Sequence, residues 1–501
     1  MSKKTIVIGA GLGGLSAAIR LAADGHKVTV LEKNERAGGK LNKRSGQGFK
    51  FDTGPSILTM PWVLEKLFKS ANRNVNDYMT IKRIEPQWRT FFEDGAQIDV
   101  TSDIAVMLSE VHKRSEKDYS NFLSYLDYCK TMFDLSLKSF YKKSLSGIQD
   151  LQKLHSFKDL LTMDPMKSMN QATEKYLDDK HLQQLFNFFI MYIGSSPYHS
   201  PAILSQLVYV QLGLGIYYVE GGMYNIAEGM LKLLDELGVD VQVNTEVAEI
   251  LTVNKKAAGV KLANGTTMEA DLIVSNLEGI PAHETLLKGE PGAEKVKKDL
   301  QKYTPTVSGL VLLLGVNKTF DQLQHHNFFF SKDPELEFKQ IFDEGVPADD
   351  PTVYIGVSSK SDPTQAPSGK ENLFVLTHVP PLQPGESFEK HRGRYREIVL
   401  DKLERMGMTG LRESIEFEYQ FIPDDIKNLY GSNGGSIYGV ATDRKVNGGF
   451  KIPSRSTLID NLYFVGGSTH PGGGVPMVTL SGQLTADLIA EDQKLKDEQT
   501  G

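Results

Sequence analysis

The distribution of apolar and polar residues at the start of the chain predicts a strand, a helix and a second strand. The run KTIVIGAG is apolar up to its glycines, LGGLSAAIRLAADG carries apolar residues at helical spacing, and KVTVLEK is a second apolar run. Gly25 ends the helix and Glu32 ends the second strand. Two strands joined by a helix in this way form a βαβ unit, which begins a parallel sheet.

The pattern then changes twice. In residues 78–101, alternating polar and apolar positions on either side of Asp94–Gly95 predict an antiparallel hairpin. Helical spacing follows and extends from roughly Ser102 to Leu212. This long helical stretch separates the opening βαβ unit from the next group of strands, so we predict an insertion at this point.

Strands and glycine turns return near Tyr217. The apolar run Val307–Val316 predicts a strand that is buried on both faces. The late segment NLYFV has an apolar pattern like that of the opening strand, and we predict that it joins the first sheet. The chain therefore reads as one α/β domain assembled from separated pieces, with other segments inserted between them.

Three glycines follow the first predicted strand with the spacing G-x-G-x-x-G. In this context Gly9 permits a tight turn, Gly11 lets the backbone approach a pyrophosphate, and Gly14 lets the helix pack closely on the sheet. The helix N-terminus attracts the phosphates, and Glu32 accepts hydrogen bonds from a ribose. We predict a dinucleotide site, for which a tight βα turn without a ligand is the structural alternative.

A second glycine loop, just after the second strand, favours FAD over NAD. It contains Arg36, Gly38, Gly39 and Lys40, and cations beside glycines suit the far side of the phosphates of a dinucleotide. Gly54 lies in the segment DTGP, which turns the chain sharply. For the two cations of the loop, a solvated surface charge is the alternative.

Composition and charge exclude several classes of protein. With 501 residues, two or three domains are expected, and a formal charge of −7 argues against a nucleic-acid partner. Cys129 is the single cysteine, so neither an internal disulfide nor a cysteine-based metal site is available. No apolar run reaches the roughly 18 residues needed to span a bilayer, and the early glycines argue against a signal peptide. We expect a soluble or peripheral protein in a reducing compartment.

Several segments carry a family resemblance over essentially the whole chain. VIGAGLGGLSAAIRLAADGHKVTVLEKNERAGGKLN resembles the N-terminus of the flavin-dependent amine oxidase and bacterial-type phytoene desaturase superfamily. The resemblance implies FAD and a two-domain fold like that of p-hydroxybenzoate hydroxylase. In order and spacing, four further segments are similar to the bacterial carotenoid desaturase and oxidase family: FDTGPSILTMP, YYVEGGMYNIAEGM, DLIVSN and NLYFVGGSTHPGGGVPMVTLSGQ.

The predicted fold class is α/β, with a Rossmann-like FAD-binding domain built from discontinuous segments. An inserted substrate-binding α+β domain is expected, with a helical, membrane-facing part. The predicted boundaries are 1–77, 217–290 and 425–501 for the FAD-binding domain, 78–101 and 291–424 for the substrate-binding sheet, and 102–216 for the helical insertion, which is a candidate for membrane docking.

Within the family, FDTGPSILTMPWVLEKLF, IKRIEPQWRTFF and HHNFFFS are most similar to thirty-carbon carotenoid oxidases of the 4,4′-diaponeurosporene oxidase type. This resemblance implies oxidation of a terminal methyl group of an acyclic polyene to an aldehyde, with molecular oxygen required. The segment THP at 469–471 resembles the desaturases instead, so a carotenoid desaturase that transfers hydride to FAD is the alternative. An amine oxidase and a non-catalytic flavin or lipid carrier are further alternatives.

The C-terminal segment is the predicted partner of the flavin ring. Pro476 is expected in the first turn of a helix, where its missing N–H costs nothing. The N–H groups from Gly474 to Met477 then face the pyrimidine edge of FAD, where negative charge develops on reduction. A plain glycine-rich connection is the alternative. The full predicted cofactor-binding set is Gly9, Gly11, Gly14, Glu32, Arg36, Gly39, Lys40, Gly54, Val247, Gly467, Gly474, Val475, Pro476 and Met477.

Few residues suggest acid–base or metal chemistry. His470 is the candidate acid or base, and a hydrogen-bonded structural histidine is the alternative. His325 and His326 are adjacent, and adjacent residues of a strand point to opposite faces, so we predict no metal site. The flavin is therefore expected to carry the redox chemistry, while a shaped apolar channel positions the substrate.

A polyene of this size must come from a bilayer, because roughly 0.8 kcal/mol per carbon unit opposes its transfer to water. The segment Ser136–Met163 combines five lysines with apolar residues, a texture typical of docking on anionic lipid. A helix packed on the protein's own core is the alternative. Gln184–Gly194 is predicted to be a buried helix or a channel wall. We expect a cytoplasmic protein at the inner face of the cell membrane, and the oligomeric state is left open.

Overall fold

The computed structural model describes residues 2–443 and 446–500. Its first hundred residues contain the predicted strand–helix–strand unit and the predicted hairpin. Their strands and helices are β1 (Lys4–Ile8), α1 (Leu12–Ala23), β2 (Lys27–Leu31), β3 (Lys43–Gly46), β4 (Phe49–Asp52), α2 (Trp62–Ser70), β5 (Ile81–Arg83), β6 (Trp88–Phe91) and β7 (Gln97–Val100).

The next segment is helical, as its apolar spacing predicts. The basic stretch Ser136–Met163 is not one helix, because α4 ends at Lys138 and two short helices follow, the second begun by a capping box of Ser156 and Asp159. Among the described residues, no helix combines the length and the apolar character needed to cross a membrane. The seven helices are α3 (Ile104–His112), α4 (Glu116–Lys138), α5 (Ile148–Leu154), α6 (Phe157–Thr162), α7 (Met169–Tyr176), α8 (Lys180–Phe188) and α9 (Gln206–Leu212).

Strands return near Tyr217, as the pattern predicts. This part of the chain contains three helices and one antiparallel three-stranded sheet, whose strands are β10, β11 and β12 below. The elements are β8 (Tyr217–Val219), α10 (Asn225–Glu236), β9 (Asp240–Gln242), β10 (Val247–Val253), β11 (Lys256–Leu262), β12 (Thr267–Glu269), β13 (Leu272–Ser275), α11 (Gly279–Thr285) and α12 (Ala293–Leu300).

The last two hundred residues contribute most of a second large sheet and then return to the first. The elements are β14 (Ser308–Val316), β15 (His326–Phe329), α13 (Pro334–Lys339), β16 (Val353–Gly356), β17 (Glu371–Val379), α14 (Glu389–Arg405), α15 (Leu411–Ser414), β18 (Ile415–Phe421), α16 (Pro423–Tyr430), β19 (Leu462–Phe464) and α17 (Val475–Thr500).

The first sheet is parallel and has the strand order β19-β13-β1-β2-β9. Its strands come from three separated parts of the chain, and NLYFV supplies β19, which lies beside β13 rather than beside the opening strand. Helices α1 and α17 pack closely, and the Ser16 hydroxyl donates to the carbonyl of Thr479 at 2.6 Å. The predicted class, a Rossmann-like α/β fold built from discontinuous segments, is confirmed by this topology.

The second sheet has seven strands in the order β18-β14-β17-β16-β15-β6-β7. All nine residues of β14 are buried, as its apolar run predicts. Because side chains alternate along a strand, Leu310 and Leu312 pack in one cluster with Leu400 of α14, whereas Val311 and Leu313 belong to the main core. The second face of this sheet forms one wall of the cavity described next.

Candidate active site

A cavity of about 700 Å³ lies between the glycine loops of the first sheet, one face of the second sheet and the helical segment. It is lined mainly by apolar side chains and by glycine backbone. Ten of the predicted site residues line it: Gly11, Gly39, Lys40, Gly54, Gly467, His470, Gly474, Val475, Pro476 and Met477.

The turn between β1 and α1 has the geometry that its glycine spacing predicts. Gly9 has a φ of +90°, and a Cβ on Gly14 would lie 2.1 Å from the carbonyl oxygen of Gly9. Gly11 precedes α1 and no side chain caps this helix. The N–H groups of its first turn therefore remain available at the cavity wall, which is the arrangement that binds a phosphate.

Glu32 is held at the end of β2 by two hydrogen bonds. Its Oε2 accepts from the N–H of Ala10 at 2.8 Å, and its Oε1 accepts from the N–H of Asn34 at 2.9 Å. The side chain is buried, and it lies behind the glycine turn rather than on the cavity wall. A carboxylate has about four acceptor positions, so two remain for ribose hydroxyls.

Lys40 and Arg36 differ in their surroundings. The Lys40 ammonium donates to Glu278 at 3.0 Å and to two carbonyls, those of Ser436 and Ile437, at 2.8 and 3.1 Å. These acceptors match its three donors, so Lys40 fixes the loop 433–437 beside the cavity. Arg36 donates to Asn42 and to a neighbouring carbonyl and does not line the cavity.

The two N-terminal glycine loops lie against each other. The N–H of Gly38 donates to the carbonyl of Ala10 at 2.8 Å, and a Cβ on Gly39 would lie 3.0 Å from the Cα of Gly11. A Cβ on Gly54 would lie 1.8 Å from the carbonyl oxygen of Lys40. These positions have no room for a side chain, so backbone alone forms this part of the wall.

Val247 lies outside the cavity. It begins β10, is paired with Leu262, and packs in a small apolar cluster with Ile8 and Leu31. This position is at the carboxyl end of the first sheet, on the same side as Glu32. The structure thus places Val247 near the nucleotide end of the predicted site without bringing it to the flavin end.

Asn276 is a cavity residue that the motif analysis did not single out. It directly follows β13, and its side-chain amide occupies the space beside Gly11, Gly13 and Gly466, at 2.5 to 2.9 Å from where their Cβ atoms would lie. The segment DLIVSN could have indicated this residue, because Asn276 directly follows a strand and the carboxyl ends of parallel strands meet at one edge of a sheet.

The C-terminal glycine loop brings backbone to the cavity, and α17 starts directly after it. Gly472 and Gly474 have φ values of +128° and +101°, which disfavour other residues. A Cβ on Gly473 would lie 2.6 Å from the carbonyl oxygen of Tyr438. Pro476 is the second residue of α17, so the predicted helix start is confirmed.

His470 is buried beside this loop and joins it to the helical segment. Its Nε2 lies 2.8 Å from the carbonyl oxygen of Phe140, to which it donates. Burial lowers the pKa of His470 to about 4, so the ring is neutral near pH 7. A neutral ring with its N–H committed to a carbonyl is the arrangement of a structural histidine, the alternative to an acid or base.

The deep end of the cavity is aromatic and uncharged. The ring of Phe328 lies 4.1 Å from that of Trp88 and 5.1 Å from that of Tyr354. The Tyr354 hydroxyl is hydrogen-bonded to Ser56 and to Nδ1 of His326, both at 2.7 Å. Burial lowers the pKa of His378, also on this wall, to about 4. Such a wall suits an apolar, conjugated ligand.

The other end of the cavity reaches the helical segment. Phe188, Met191 and Tyr192 from the stretch Gln184–Gly194 line the cavity, so the channel-wall prediction is confirmed; Phe188 contacts Phe328 and Tyr192 contacts Trp88, which joins this stretch to the aromatic wall. Further residues come from α5, α6 and the loops around them: Ile148, Leu151, Leu160, Met163, Pro165, Ile203 and Leu204. Ile148 is 55% exposed, so this end of the cavity meets the surface.

The two adjacent histidines have different partners. Nδ1 of His325 is hydrogen-bonded to Ser361, whereas His326 contacts Tyr354. In the part of the chain that the structure describes, no group of three or more histidine, cysteine or acidic side chains is placed to hold a metal ion. The alternative of a metal site at this pair therefore has no support in the geometry.

Comparison with known proteins agrees with this geometry. The family model described as flavin containing amine oxidoreductase matches residues 12–490. A 4,4′-diapolycopene oxygenase from a Methylomonas species is 48% identical over 98% of this chain and 99% of that protein. A 4,4′-diaponeurosporene oxygenase from Staphylococcus aureus is 43% identical over 98% of both chains.

A solved structure supports the fold independently. An oxidoreductase from Methanosarcina mazei superposes with a TM-score of 0.67 at 20% identity, covering 97% of this chain and all of that one. At this identity the likeness establishes the fold alone. The predicted resemblance to carotenoid oxidases is confirmed by the two curated relatives. Because the family model covers almost the whole chain, the protein belongs to the flavin-containing amine oxidoreductases, an FAD-dependent family of oxidoreductases.

Proposed function

We propose that this protein oxidises a terminal methyl group of an acyclic thirty-carbon carotenoid to an aldehyde, with FAD as cofactor and molecular oxygen as co-substrate. The observation that carries the proposal is the single cavity that joins the glycine-lined loops to an apolar, surface-reaching arm. The two full-length relatives named as diapolycopene and diaponeurosporene oxygenases support the choice of substrate.

The glycine-lined part of the cavity and its apolar part have different roles, binding of the cofactor and binding of the substrate. The uncapped N-terminus of α1 holds the pyrophosphate of FAD, and Glu32 holds a ribose. The backbone from Gly474 to Met477, which lines the cavity at the start of α17, would hold the flavin ring. The bound FAD supplies the electron acceptor of the reaction. The aromatic wall around Trp88 and Phe328 excludes water and orients the polyene terminus by shape.

A hydrocarbon offers no charged or polar group for side chains of the cavity wall to bind, so selectivity must come from shape and depth of insertion. Met191, Tyr192 and Phe328 line the cavity, and the carbonyl oxygen of Tyr192 lies 3.7 Å from the point where a Cβ on Gly474 would be, so large side chains bound the space beside the predicted ring position. A terminal methyl group enters such a space more readily than the middle of a stiff chain. This argument favours oxidation at the end of the polyene.

We also propose that the surface around α5 and α6 docks on anionic lipid and admits the carotenoid. Phe157 and Leu161 are 77% and 59% exposed, and Ile148 lies at the same end of the cavity. Lysines 142, 143, 153 and 158 of the same stretch are also exposed. Apolar anchors among lysines are typical of a segment bound at an anionic membrane surface. We therefore propose that the protein acts at the inner face of the cell membrane.

We retain the predicted domain boundaries as a proposal. The parallel sheet draws its strands from all three segments assigned to the FAD-binding domain, 1–77, 217–290 and 425–501. The seven-stranded sheet draws its strands from 78–101 and 291–424. These memberships support the division, and independent expression of the sheet domain would test it.

The experiment for the main proposal is expression in a bacterial host that accumulates 4,4′-diaponeurosporene, followed by mass analysis of the pigments. We expect a product that has gained one oxygen atom and lost two hydrogen atoms. A product that has lost two hydrogen atoms without gaining oxygen would instead identify a desaturase, and would contradict the proposal. The variant Glu32→Ala, with weakened FAD retention, serves as the control for dependence on the cofactor.

A further inference from the structure

The described side chains that line the cavity include one basic group, Lys451, whose charge no neighbouring acidic group offsets. Lys40 is neutralised by Glu278, and His378 and His470 are neutral near pH 7 because burial lowers their pKa values to about 4. Lys451 also lines the cavity and is only 6% exposed. Its ammonium donates to the carbonyl of Val440, and no described residue forms an ion pair with it.

The backbone fixes Lys451 next to the C-terminal glycine loop. The N–H of Ile452 donates to the carbonyl of Ser468 at 3.1 Å, so this strand-like segment runs beside the loop. The Cε and Nζ atoms of Lys451 lie 3.0 and 3.8 Å from the point where a Cβ on Gly472 would be. The ammonium is therefore beside Gly472, two residues before the backbone that we propose as the partner of the flavin ring.

A buried ammonium without a counter-ion is unfavourable. Burial lowers the pKa of Lys451 to about 7, from an ordinary value of 10.5. A methionine of similar length would fill the same space without this desolvation cost. An anionic group in the cavity would offset the cost, since it would form the ion pair that none of the described residues provides.

The chemistry proposed for the cavity produces negative charge at this place. When reduced FAD is reoxidised without carotenoid present, dioxygen takes up two electrons from the ring. It also takes up two protons, one from the reduced ring and one from solvent, and leaves as hydrogen peroxide. Negative charge builds on dioxygen as the electrons arrive, and the protonated ammonium of a lysine held in a dry cavity stabilises such charge strongly.

We propose that Lys451 is a catalytic residue that stabilises the negative charge developing on dioxygen as reduced FAD returns its electrons. This inference rests on the proposed position of the flavin ring, and it assigns the oxygen site to the side of the cavity formed by Lys451 and Gly472. The neighbouring His470 stays neutral and contributes no charge of its own.

The test uses the purified holoprotein without any carotenoid. The flavin is reduced with dithionite under nitrogen and mixed with oxygenated buffer, and the return of flavin absorbance gives the rate constant for dioxygen. We expect Lys451→Met to lower this rate constant at least about tenfold, and Lys451→Arg to keep it within roughly threefold. Lys298→Met, which removes an exposed lysine of α12, is the matched control and should leave the rate constant unchanged.

A second readout does not depend on turnover. The midpoint potential of the bound flavin should become more negative in Lys451→Met, because the anionic reduced ring loses a nearby cation. Flavin content and melting temperature show whether Lys451→Met folds and retains FAD. If it does not, Lys451→Gln is used as the uncharged variant instead. Equal dioxygen rate constants and equal potentials in wild type and the uncharged variant would overturn the inference.

The inference and the proposed function can fail separately. If the dioxygen rate constant depends on the charge of Lys451 but no carotenoid is oxidised, the substrate assignment is wrong and the oxygen site stands. If carotenoid is oxidised while the uncharged variant reacts with dioxygen at the wild-type rate, the role of Lys451 is wrong and the proposed function stands.

Discussion

The two ends of the cavity are built in opposite ways. At the flavin end, backbone approaches backbone so closely that a single Cβ would overlap an atom, as at Gly14 and Gly54. At the end that we propose docks on the membrane, short helices present exposed apolar side chains such as Phe157, and a Cβ on Gly147 would meet no atom within 4 Å. One end is determined by main-chain geometry, and the other by the character of its side chains.

This difference implies different sensitivities to mutation. A rigid cofactor is held by groups whose positions cannot shift, so small changes at the flavin end should release it. A bilayer is a fluid partner with no fixed shape, so the other end needs apolar area and positive charge rather than exact positions. The predictions below test this division, in order of decreasing effect.

The largest effect is expected at Gly14. Its substitution by alanine places a methyl group 2.1 Å from the carbonyl oxygen of Gly9, so α1 must move away from the sheet. We expect the free energy of unfolding to fall by about 3 kcal/mol and the purified protein to lose most of its flavin. The matched control is Gly147→Ala, where φ is 175° and space is open, and it should behave as wild type in thermal melts and flavin content.

The next effect concerns His470, which joins the two ends. Its folded pKa of about 4 lies below the ordinary value of 6.5, so the unfolded chain binds a proton first as the pH falls. The stabilisation is therefore present above about pH 6.5 and is lost towards pH 4, by up to about 3 kcal/mol. Urea titrations at pH 7 and pH 5 should show a smaller pH dependence in His470→Gln. An unchanged dependence would argue against a buried neutral ring.

A smaller effect is expected at Glu32. Alanine there removes the acceptors of the Ala10 and Asn34 N–H groups and of the proposed ribose bonds. We expect affinity for FAD to fall roughly 10- to 100-fold, or about 2 kcal/mol, measured by flavin fluorescence on titrating apoprotein. Glu35→Ala, at an exposed neighbouring position, is the control. Equal affinities in the two variants would contradict the ribose role.

The smallest effect on the protein itself is expected at Phe157. Its substitution by serine should leave flavin content and melting temperature unchanged, because the side chain is 77% exposed. Binding to phosphatidylglycerol vesicles should weaken roughly tenfold in a sedimentation assay, since the lost burial is worth about 1.5 kcal/mol. Val253→Ser removes an exposed apolar side chain from β10 and should bind as wild type does. Equal loss in both would indicate nonspecific adsorption.

The same difference between local backbone geometry and long-range packing determines which features can be predicted from the sequence. The turn from Gly9 to Gly14 and the start of α17 at Val475 were predictable, because glycine spacing and a proline near a helix start act locally. The pairing of Lys40 with Glu278 joins residues that are 238 positions apart, and no local pattern signals it. The sequence therefore presents Lys40 as a phosphate ligand, whereas the structure commits it to a loop.

The aromatic wall and Lys451 show the same limit. Trp88 lies on β6 and Tyr354 on β16, and both contact Phe328 because the seven-stranded sheet places β15 between these strands. Lys451 stands between a glycine pair and a proline, a context typical of an exposed loop, so its burial could not be inferred. The apolar and basic texture of Ser136–Met163 was visible, but its division into α5 and α6 depends on packing.

The most direct test of the central claim is oxidation of 4,4′-diaponeurosporene by the purified holoprotein in vesicles under ¹⁸O-labelled dioxygen. Immediate borohydride reduction converts the aldehyde to an alcohol and prevents exchange of its oxygen with water. The account predicts a terminal alcohol that carries the heavy isotope and depends on bound FAD. A product without added oxygen, or with oxygen derived from water, would contradict it.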